Sequence, residues 1–411
     1  MTDKGAKTGH QRRVLMLQGP LGPFFADFAR ALQALGCFTH KIHFNGGDHY
    51  FGYADHITPY WDPPEAWDGF LACYLAEHRI DALVLYGDSR FYHQVARDVC
   101  ARLGVPVFCF EEGYIRPGFV TFEEGGNNAS SNLPEKFTAG HAAGGPLPQP
   151  YPVKNAFWFH AVFGYRYYYM KDASWRPSFY KKYTGYAHHR PGNGYSERRN
   201  WIMAGWRKVK SRIIERGLLK TLKKRHPGPL FFVPLQVAVD SQIIHNSPFQ
   251  GMPDFLETVI GSFGRCAPPD SHLLIKHHPM DRGFNHYGAD IAQLGKLHEA
   301  DGRITYCFET DITQILDAAC GVVTVNSTVG MAALETDVPT IMLGQAMAKK
   351  AGLTAGGTLD DFWASLPVVD AEKVSGFRQA LLADSQIPGS FYRDRHVAAT
   401  AAAARLVAAF D

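Results

Sequence analysis

Along the first 120 residues, short aliphatic and β-branched runs alternate with stretches whose apolar positions recur every three or four residues. RRVLMLQ, THKIHFN, DALVLYGD and VPVFCFEEG have strand character, whereas FFADFARALQALG and YHQVARDVCARLG carry the helical period. Strands spaced by helices predict β-α-β units and a parallel sheet. From about residue 139 the pattern lapses into Gly-, Pro-, Tyr- and Trp-rich sequence, then resumes as a helix-like stretch from Glu197 to Lys224. A second alternating series starts at PLFFVPLQ. It continues through a helix at Asp254 to Phe263, HLLIKHHP, RITYC, DITQILDAA, GVVTVNS, a helix at Thr328 to Glu335, and PTIMLG. An Ala-rich helix near His396 to Phe410 closes the chain.

A chain of 411 residues exceeds the about 250 to 300 at which a single core stops growing. The pattern therefore predicts an α/β protein of GT-B-like architecture, with two Rossmann-like domains facing across a cleft and a helical, aromatic segment between them. The expected divisions are 1–150, 151–226 with the N-terminal half, 227–375, and 376–411 packing back toward the first domain.

Composition narrows the function classes. The seven cysteines are scattered and never form a C-x-x-C pair, so they read as buried apolar groups in a reducing compartment. The net charge of +3 does not by itself point to nucleic acid. The polar, basic N-terminus is followed by an apolar run too short for a signal-peptide core, and no run reaches the roughly 18 to 20 apolar residues of a membrane span. The expectation is a cytoplasmic protein whose membrane contact, if any, is peripheral.

In a parallel sheet, ligands lie beyond the carboxyl ends of the strands, so the loops there carry the chemistry. In the N-terminal half these are Gly19-Pro20-Leu21-Gly22, Asn45-Gly46-Gly47-Asp48, Gly87-Asp88-Ser89 and Glu111-Glu112. The first is no G-x-G-x-x-G, and its prolines remove backbone donors, which argues against nicotinamide or flavin. Glu111 or Glu112 is a candidate base, with Arg116 as a possible structural partner. In the C-terminal half, Asn326-Ser327-Thr328-Val329-Gly330 joins a strand to a helix and reads either as a phosphate site or as a plain N-cap. Lys276-His277-His278 suits an anionic donor; zinc is the rival reading, with no H-x-x-x-H spacing to support it. Gln236 precedes Asp240, which reads as a nucleophile or as a helix cap.

Between Arg198 and Arg225 stand eleven Lys or Arg and one acid, Glu215, next to many aromatics. Trp201, Trp206, Arg207, Lys208, Lys210, Lys220, Lys223 and Lys224 suit an anionic bilayer surface. RNA binding and ordinary packing with a solvated basic face are the competing readings.

Read in order, Q-G-P-L-G-P-F-F, F-N-G-G-D, Y-G-D-S-R, F-E-E-G-Y-I-R-P-G, P-L-Q-V-A-V-D-S-Q-I, K-H-H-P-M-D-R-G and V-N-S-T-V-G-M-A-A-L resemble the KpsS/LipB capsule proteins from residue 14 to about 365. The resemblance implies a retaining β-Kdo transferase that uses CMP-Kdo and glycosylates lysophosphatidylglycerol or a related anionic lipid. It implies no metal, no cofactor and no nucleic acid, and a place on the cytoplasmic face of the inner membrane beside other capsule assembly proteins. Asp240, in a locally divergent block, becomes the nucleophile, Glu111 or Glu112 the base, and His278, the histidine of the His-Pro pair, a catalytic group that binds the leaving phosphate or the Kdo carboxylate. Gln236, Lys276, His277, His278, Asn326, Ser327, Thr328 and Gly330 hold the donor; Gly19, Pro20, Gly22, Asn45, Gly46, Gly47, Asp48, Asp88 and Arg116 meet the acceptor. Two other functions stay open: a nucleotide-sugar epimerase acting without an acceptor, and a non-catalytic scaffold for capsule export.

Overall fold

The computed structural model describes residues 11–138, 147–153, 157–171, 183, 185–187, 194–238, 243 and 246–410. Val14, Leu15 and Met16 are wholly buried, as a strand covered by helices on both faces must be. They belong to β1 (Arg13–Met16), which lies in a seven-stranded sheet with β2 (Phe38–His43), β3 (His56–Pro59), β4 (Ala82–Tyr86), β5 (Val107–Glu112), β6 (Phe119–Glu124) and β12 (Gln386–Pro388). The order is β12-β6-β5-β4-β1-β2-β3. The first five strands run parallel, while β6 is antiparallel to β5 and β12 antiparallel to β6.

Four helices connect these strands: α1 (Phe24–Ala34), α2 (Gly46–Phe51), α3 (Trp67–Glu77) and α4 (Phe91–Leu103). The C-terminal helix Arg395–Ala408 packs on α1 through small residues, with Ala398, Ala399, Ala402 and Ala403 fully buried. An ion pair of 2.8 Å between Arg395 and Asp27 fixes its start. The pattern did not foresee β3, β6 or β12. β3 and β12 are only four and three residues long, too short to show a period.

The chain divides into two compact units, Met1–Asn132 with Gly144–Pro191 and Leu381–Asp411, and Leu133–Ala143 with Gly192–Ala380. The second unit contains the short α5 (Leu133–Thr138) and an all-parallel sheet of β7 (Leu230–Pro234), β8 (His272–Lys276), β9 (Ile304–Cys307), β10 (Gly321–Thr324) and β11 (Thr340–Met342). Its order is β11-β10-β7-β8-β9. Both units are Rossmann-like, as the alternation predicts.

The aromatic stretch forms α6 (Phe157–Lys171) in the first unit. The basic stretch, expected with the N-terminal half, clusters with the second unit as α7 (Gly194–Ile214) and α8 (Leu218–Arg225). Gly217, at φ 69°, takes the left-handed conformation that interrupts what the sequence presents as one helix. All seven cysteines are free. No described helix is long and apolar enough to cross a membrane.

Several imidazoles are buried neutral. Burial, with the rings of His78 and His56 about 5 Å away, pushes His40 down to about 4. Burial likewise takes His272 and His277 to about 4, His93 to about 3 and His43 to about 2. An unfolded histidine titrates near 6.5. As pH falls from about 6.5 to 4, the unfolded chain therefore takes up protons that the folded chain refuses, and stability declines. Asp48 and Glu111, whose affinities for protons are raised, oppose this with fewer groups. Urea midpoints are expected to be nearly level between pH 7 and 8 and to fall steeply from pH 6.5 to 4.5; level midpoints from pH 6.5 to 4.5 would refute the account.

Candidate functional site

In the first unit the strand-end loops are organised by a buried carboxylate. Asn45 caps α2, its Oδ1 accepting from the amides of Gly47 at 2.9 Å and Asp48 at 3.0 Å. Asp48 in turn accepts from the amide of Phe44 at 3.1 Å, Nδ2 of Asn45 at 3.1 Å and Nε2 of Gln18 at 3.2 Å. Lys41, also buried, donates to the carbonyl of Leu17; desolvation brings its pKa down to about 8, partly offset by the charge of Asp48. Burial pushes Asp48 up, and Lys41 acts against that shift.

The cover over these loops is α6. Tyr167 accepts from Nδ2 of Asn45 at 2.9 Å, and a Cβ on Gly47 would sit 2.5 Å from its ring. A Cβ on Gly22 would come equally close to Phe163. Pro20, Gly22, Asn45, Gly46, Gly47 and Asp48, expected to meet an acceptor, are thus buried; their residue types serve close packing and capping. Gly19 is half-buried against Phe25. Asp88 is likewise occupied, by Arg97 at 3.3 Å and the amide of Asn127 at 3.3 Å.

Glu111 and Glu112 are the last two residues of β5 and remain in the ladder, opposite Thr121 and Val120 of β6. Consecutive strand residues face opposite ways, so their surroundings differ. Glu112 accepts from the hydroxyl of Tyr392 at 3.1 Å. Desolvation raises Glu111 to about 7, the neighbouring charge of Glu112 adding to it and the amide of Glu112, at 2.9 Å, opposing it. A carboxyl poised near neutrality suits a general base. Arg116 is exposed and donates to the carbonyl of Gly113 at 2.7 Å, and its charge helps hold Glu111 down from a higher value.

In the second unit, Gln236 and Asn326 bond reciprocally. Nε2 of Gln236 donates to Oδ1 of Asn326 at 2.9 Å, and the amide of Asn326 donates to Oε1 of Gln236 at 3.1 Å. The two loops after β7 and β10 are thereby joined. Ser327 accepts from the amide of Val329 at 3.2 Å, while Thr328 precedes a helix, Val329–Leu334, of six residues. Gly330 lies against Met342, Thr324 and Thr340, where any Cβ would clash; it serves helix–sheet contact.

The two histidines part company. His277 is 1% exposed and bonds Tyr306 through Nδ1 at 2.6 Å, so it supports the core. His278 is half-exposed, and its Nδ1 accepts from the amide of Met280 at 3.2 Å. The neutral His278 ring therefore carries its proton on Nε2, as a donor. Lys276, expected to meet the donor's charge, is buried and donates to the carbonyl of Phe308 at 2.6 Å.

Asp240 lies outside the described residues. Two positions before it, Ala238 donates its amide to Asp281 at 3.4 Å, and Asp281 also accepts from Asn285 at 2.9 Å and Tyr287 at 3.4 Å. Asp281 went unassigned in the sequence, although it stands inside the K-H-H-P-M-D-R-G block. Arg282, the next residue, pairs with Glu309.

The basic stretch is anchored by Glu215, the residue after α7. Glu215 accepts from the amides of Phe308 at 2.7 Å, Glu309 at 2.7 Å and Thr310 at 2.8 Å, and from the hydroxyl of Thr310 at 2.9 Å. Arg207, expected to face a membrane, instead donates to the carbonyls of Arg282 at 2.6 Å and Asn285 at 3.2 Å. Lys210, Lys220, Lys223 and Lys224 are exposed and Lys208 half-exposed. Ile202, Trp206, Val209 and Ile213, spaced as one helical stripe, are 59% to 70% exposed, and Trp201 is 38% exposed. Among the described residues no group of three His, Cys, Asp or Glu is placed to hold a metal.

The family described as capsule polysaccharide biosynthesis protein matches residues 81–392. The capsule polysaccharide modification protein LipB of Neisseria meningitidis serogroup A is 36% identical over 387 residues, 92% of this chain and 91% of that one. The capsule polysaccharide export protein KpsS of Escherichia coli is 34% identical over 386 residues, 93% of this chain and 97% of that one. Among solved structures, Thermosulfurimonas dismutans KpsC, a beta Kdo 2,7 transferase, matches with a TM-score of 0.46 at 14% identity, over 97% of this chain and 100% of that one.

Removing the Glu215 carboxylate leaves three amides of the β9 loop without their acceptor. Glu215→Ala is expected to lower the unfolding free energy by about 2 to 4 kcal/mol. Chemical denaturation of the variant checks this, and a loss below about 0.5 kcal/mol, the usual range for a surface substitution, would show that the anchor is dispensable.

Proposed function

We propose, from the premise that this chain belongs to the capsule polysaccharide biosynthesis family, that it is a retaining Kdo transferase moving Kdo from CMP-Kdo to a lysophosphatidylglycerol-type acceptor at a membrane surface. The observation that carries this reading is Glu111, a carboxyl held near neutrality at the end of β5, an interior strand of the first sheet. The carboxylate of Asp240 attacks the anomeric carbon and CMP departs with the bonding pair. An acceptor hydroxyl, giving its proton to Glu111, then displaces Asp240, and the two inversions yield retention. His278 donates from Nε2 to the leaving phosphate or the sugar carboxylate, with Ser327, Thr328 and the Gln236–Asn326 pair shaping the same loops. No metal enters this scheme.

What supports an anionic bilayer as the place of reaction is α7, whose exposed apolar stripe stands among lysines. On this reading the protein works on the cytoplasmic face of the inner membrane beside other capsule assembly proteins.

Intact-mass analysis after incubation with CMP-Kdo, with a parallel assay of lysophosphatidylglycerol glycosylation, tests the reaction. Wild type is expected to gain a Kdo-sized increment and form lipid product, Asp240→Ala to do neither, and Glu111→Gln to keep the increment while transfer falls by about 10²- to 10⁴-fold. Because the base must be unprotonated, wild-type transfer should rise with pH through about 7. Absence of both increment and product while CMP-Kdo survives would favour the scaffold.

A second assay addresses the membrane. The protein should pellet with phosphatidylglycerol vesicles at low salt, and Trp206→Glu combined with Val209→Glu should remain in the supernatant. Equal pelleting of the two proteins would remove α7 from the contact.

A further inference from the structure

Three carboxylates near the strand ends of the first unit are already occupied: Asp48 by Gln18, Asn45 and an amide, Asp88 by Arg97 and an amide, and Glu112 by Tyr392. One cation there is not. Arg90 is half-buried, yet among the described residues its side chain makes no hydrogen bond and no ion pair; its guanidinium lies over the ring of Tyr86, 5.3 Å from the centroid.

Its position is held firmly. Arg90 immediately precedes α4, a helix of 13 residues with no side-chain cap, and its carbonyl accepts from the amides of His93 at 2.9 Å and Gln94 at 2.8 Å. The loop before it is pinned by Gly87, whose amide donates to Phe110 at 2.8 Å and whose carbonyl meets Nδ1 of His93 at 2.6 Å. Tyr86 lies opposite Phe110 in the ladder, one residue before Glu111. Arg90 and the candidate base therefore flank the same tyrosine. Phe91, the next residue, is 47% exposed and leaves an apolar rim beside the guanidinium.

A half-buried arginine without a hydrogen-bonded partner favours an oxyanion ligand, two of whose oxygens its fork of donors matches. The positive end of α4 acts in the same direction. We propose that Arg90 binds the phosphate of the acceptor and so makes the enzyme select anionic over uncharged lipids. This rests on the acceptor reading of the first unit. Asp48 and Asp88 each accept from other donors, and Arg90 acts on Asp48 only through its charge, which helps hold that carboxyl down.

The test uses the full chain in two arms. In the first, calorimetric titration with sn-glycerol 3-phosphate and with inorganic phosphate compares wild type, Arg90→Gln and Arg90→Lys. Glycerol phosphate is expected to bind wild type, to lose roughly tenfold or more in affinity with Arg90→Gln, and to show an intermediate loss with Arg90→Lys, since a point charge replaces a bidentate fork. Equal affinities in all three proteins overturn the proposal. Inorganic phosphate binding as tightly as glycerol phosphate overturns the headgroup assignment in favour of a free-phosphate site.

In the second arm, transfer kinetics compare lysophosphatidylglycerol with a monoacylglycerol of the same chain length. Arg90→Gln should raise KM for the charged acceptor alone and abolish the preference between the two. An equal effect on both acceptors would assign Arg90 a structural role and overturn the proposal. If wild type transfers to neither acceptor while glycerol phosphate binding still depends on Arg90, the transferase reading fails and the phosphate subsite stands.

Discussion

Buried carboxylates gathering donors from neighbouring loops hold the functional edge of each sheet in shape. Asp48 draws on the loops after β1 and β2, and Asp281 on those after β7 and β8. Asp88 ties the loop after β4 to Arg97 and Asn127, and Glu215 ties the end of α7 to the loop after β9. The physical demand is the same in every case. A carboxylate out of water is costly unless its lone pairs are filled, and loop amides at the end of a parallel sheet are the nearest donors to fill them.

That demand separates structural from available polar groups. Lys41, Lys276, His277 and Asp48 lie where chemistry is expected, yet each is held within the protein and buried. Glu111 and His278 differ: one carries a carboxyl poised near neutrality, the other presents a ring half in solvent with its inner nitrogen already engaged. Charge alone does not mark a site at such an edge.

The helices outside the sheets follow a different rule. α6 buries Tyr167 and Phe163 on glycine-containing loops while Trp158 on the same helix is 74% exposed. Arg207 of α7 and Glu215 just after it bond to the second unit's loops, while the apolar stripe of α7 stays exposed. Apolar side chains left open at this density are unusual on a surface that meets only water.

The amino-acid sequence by itself determined the alternation of strands and helices, the presence of two parallel sheets and the family, because periodicity and motif order are local properties of the chain. It also marked the edges where Glu111, His278 and Asn326 stand. It did not show that Lys276 and His277 are held inside, or distinguish the buried glycines and aspartate of the α2 loop from groups open to a ligand. Tertiary structure decided those. Burial and hydrogen-bond partners come from segments distant in the chain: Tyr167 reaches Asn45 across 122 positions, and Glu215 reaches Phe308 across 93. Whether a polar side chain is a strut or a working group depends on those partners, and no local pattern encodes them.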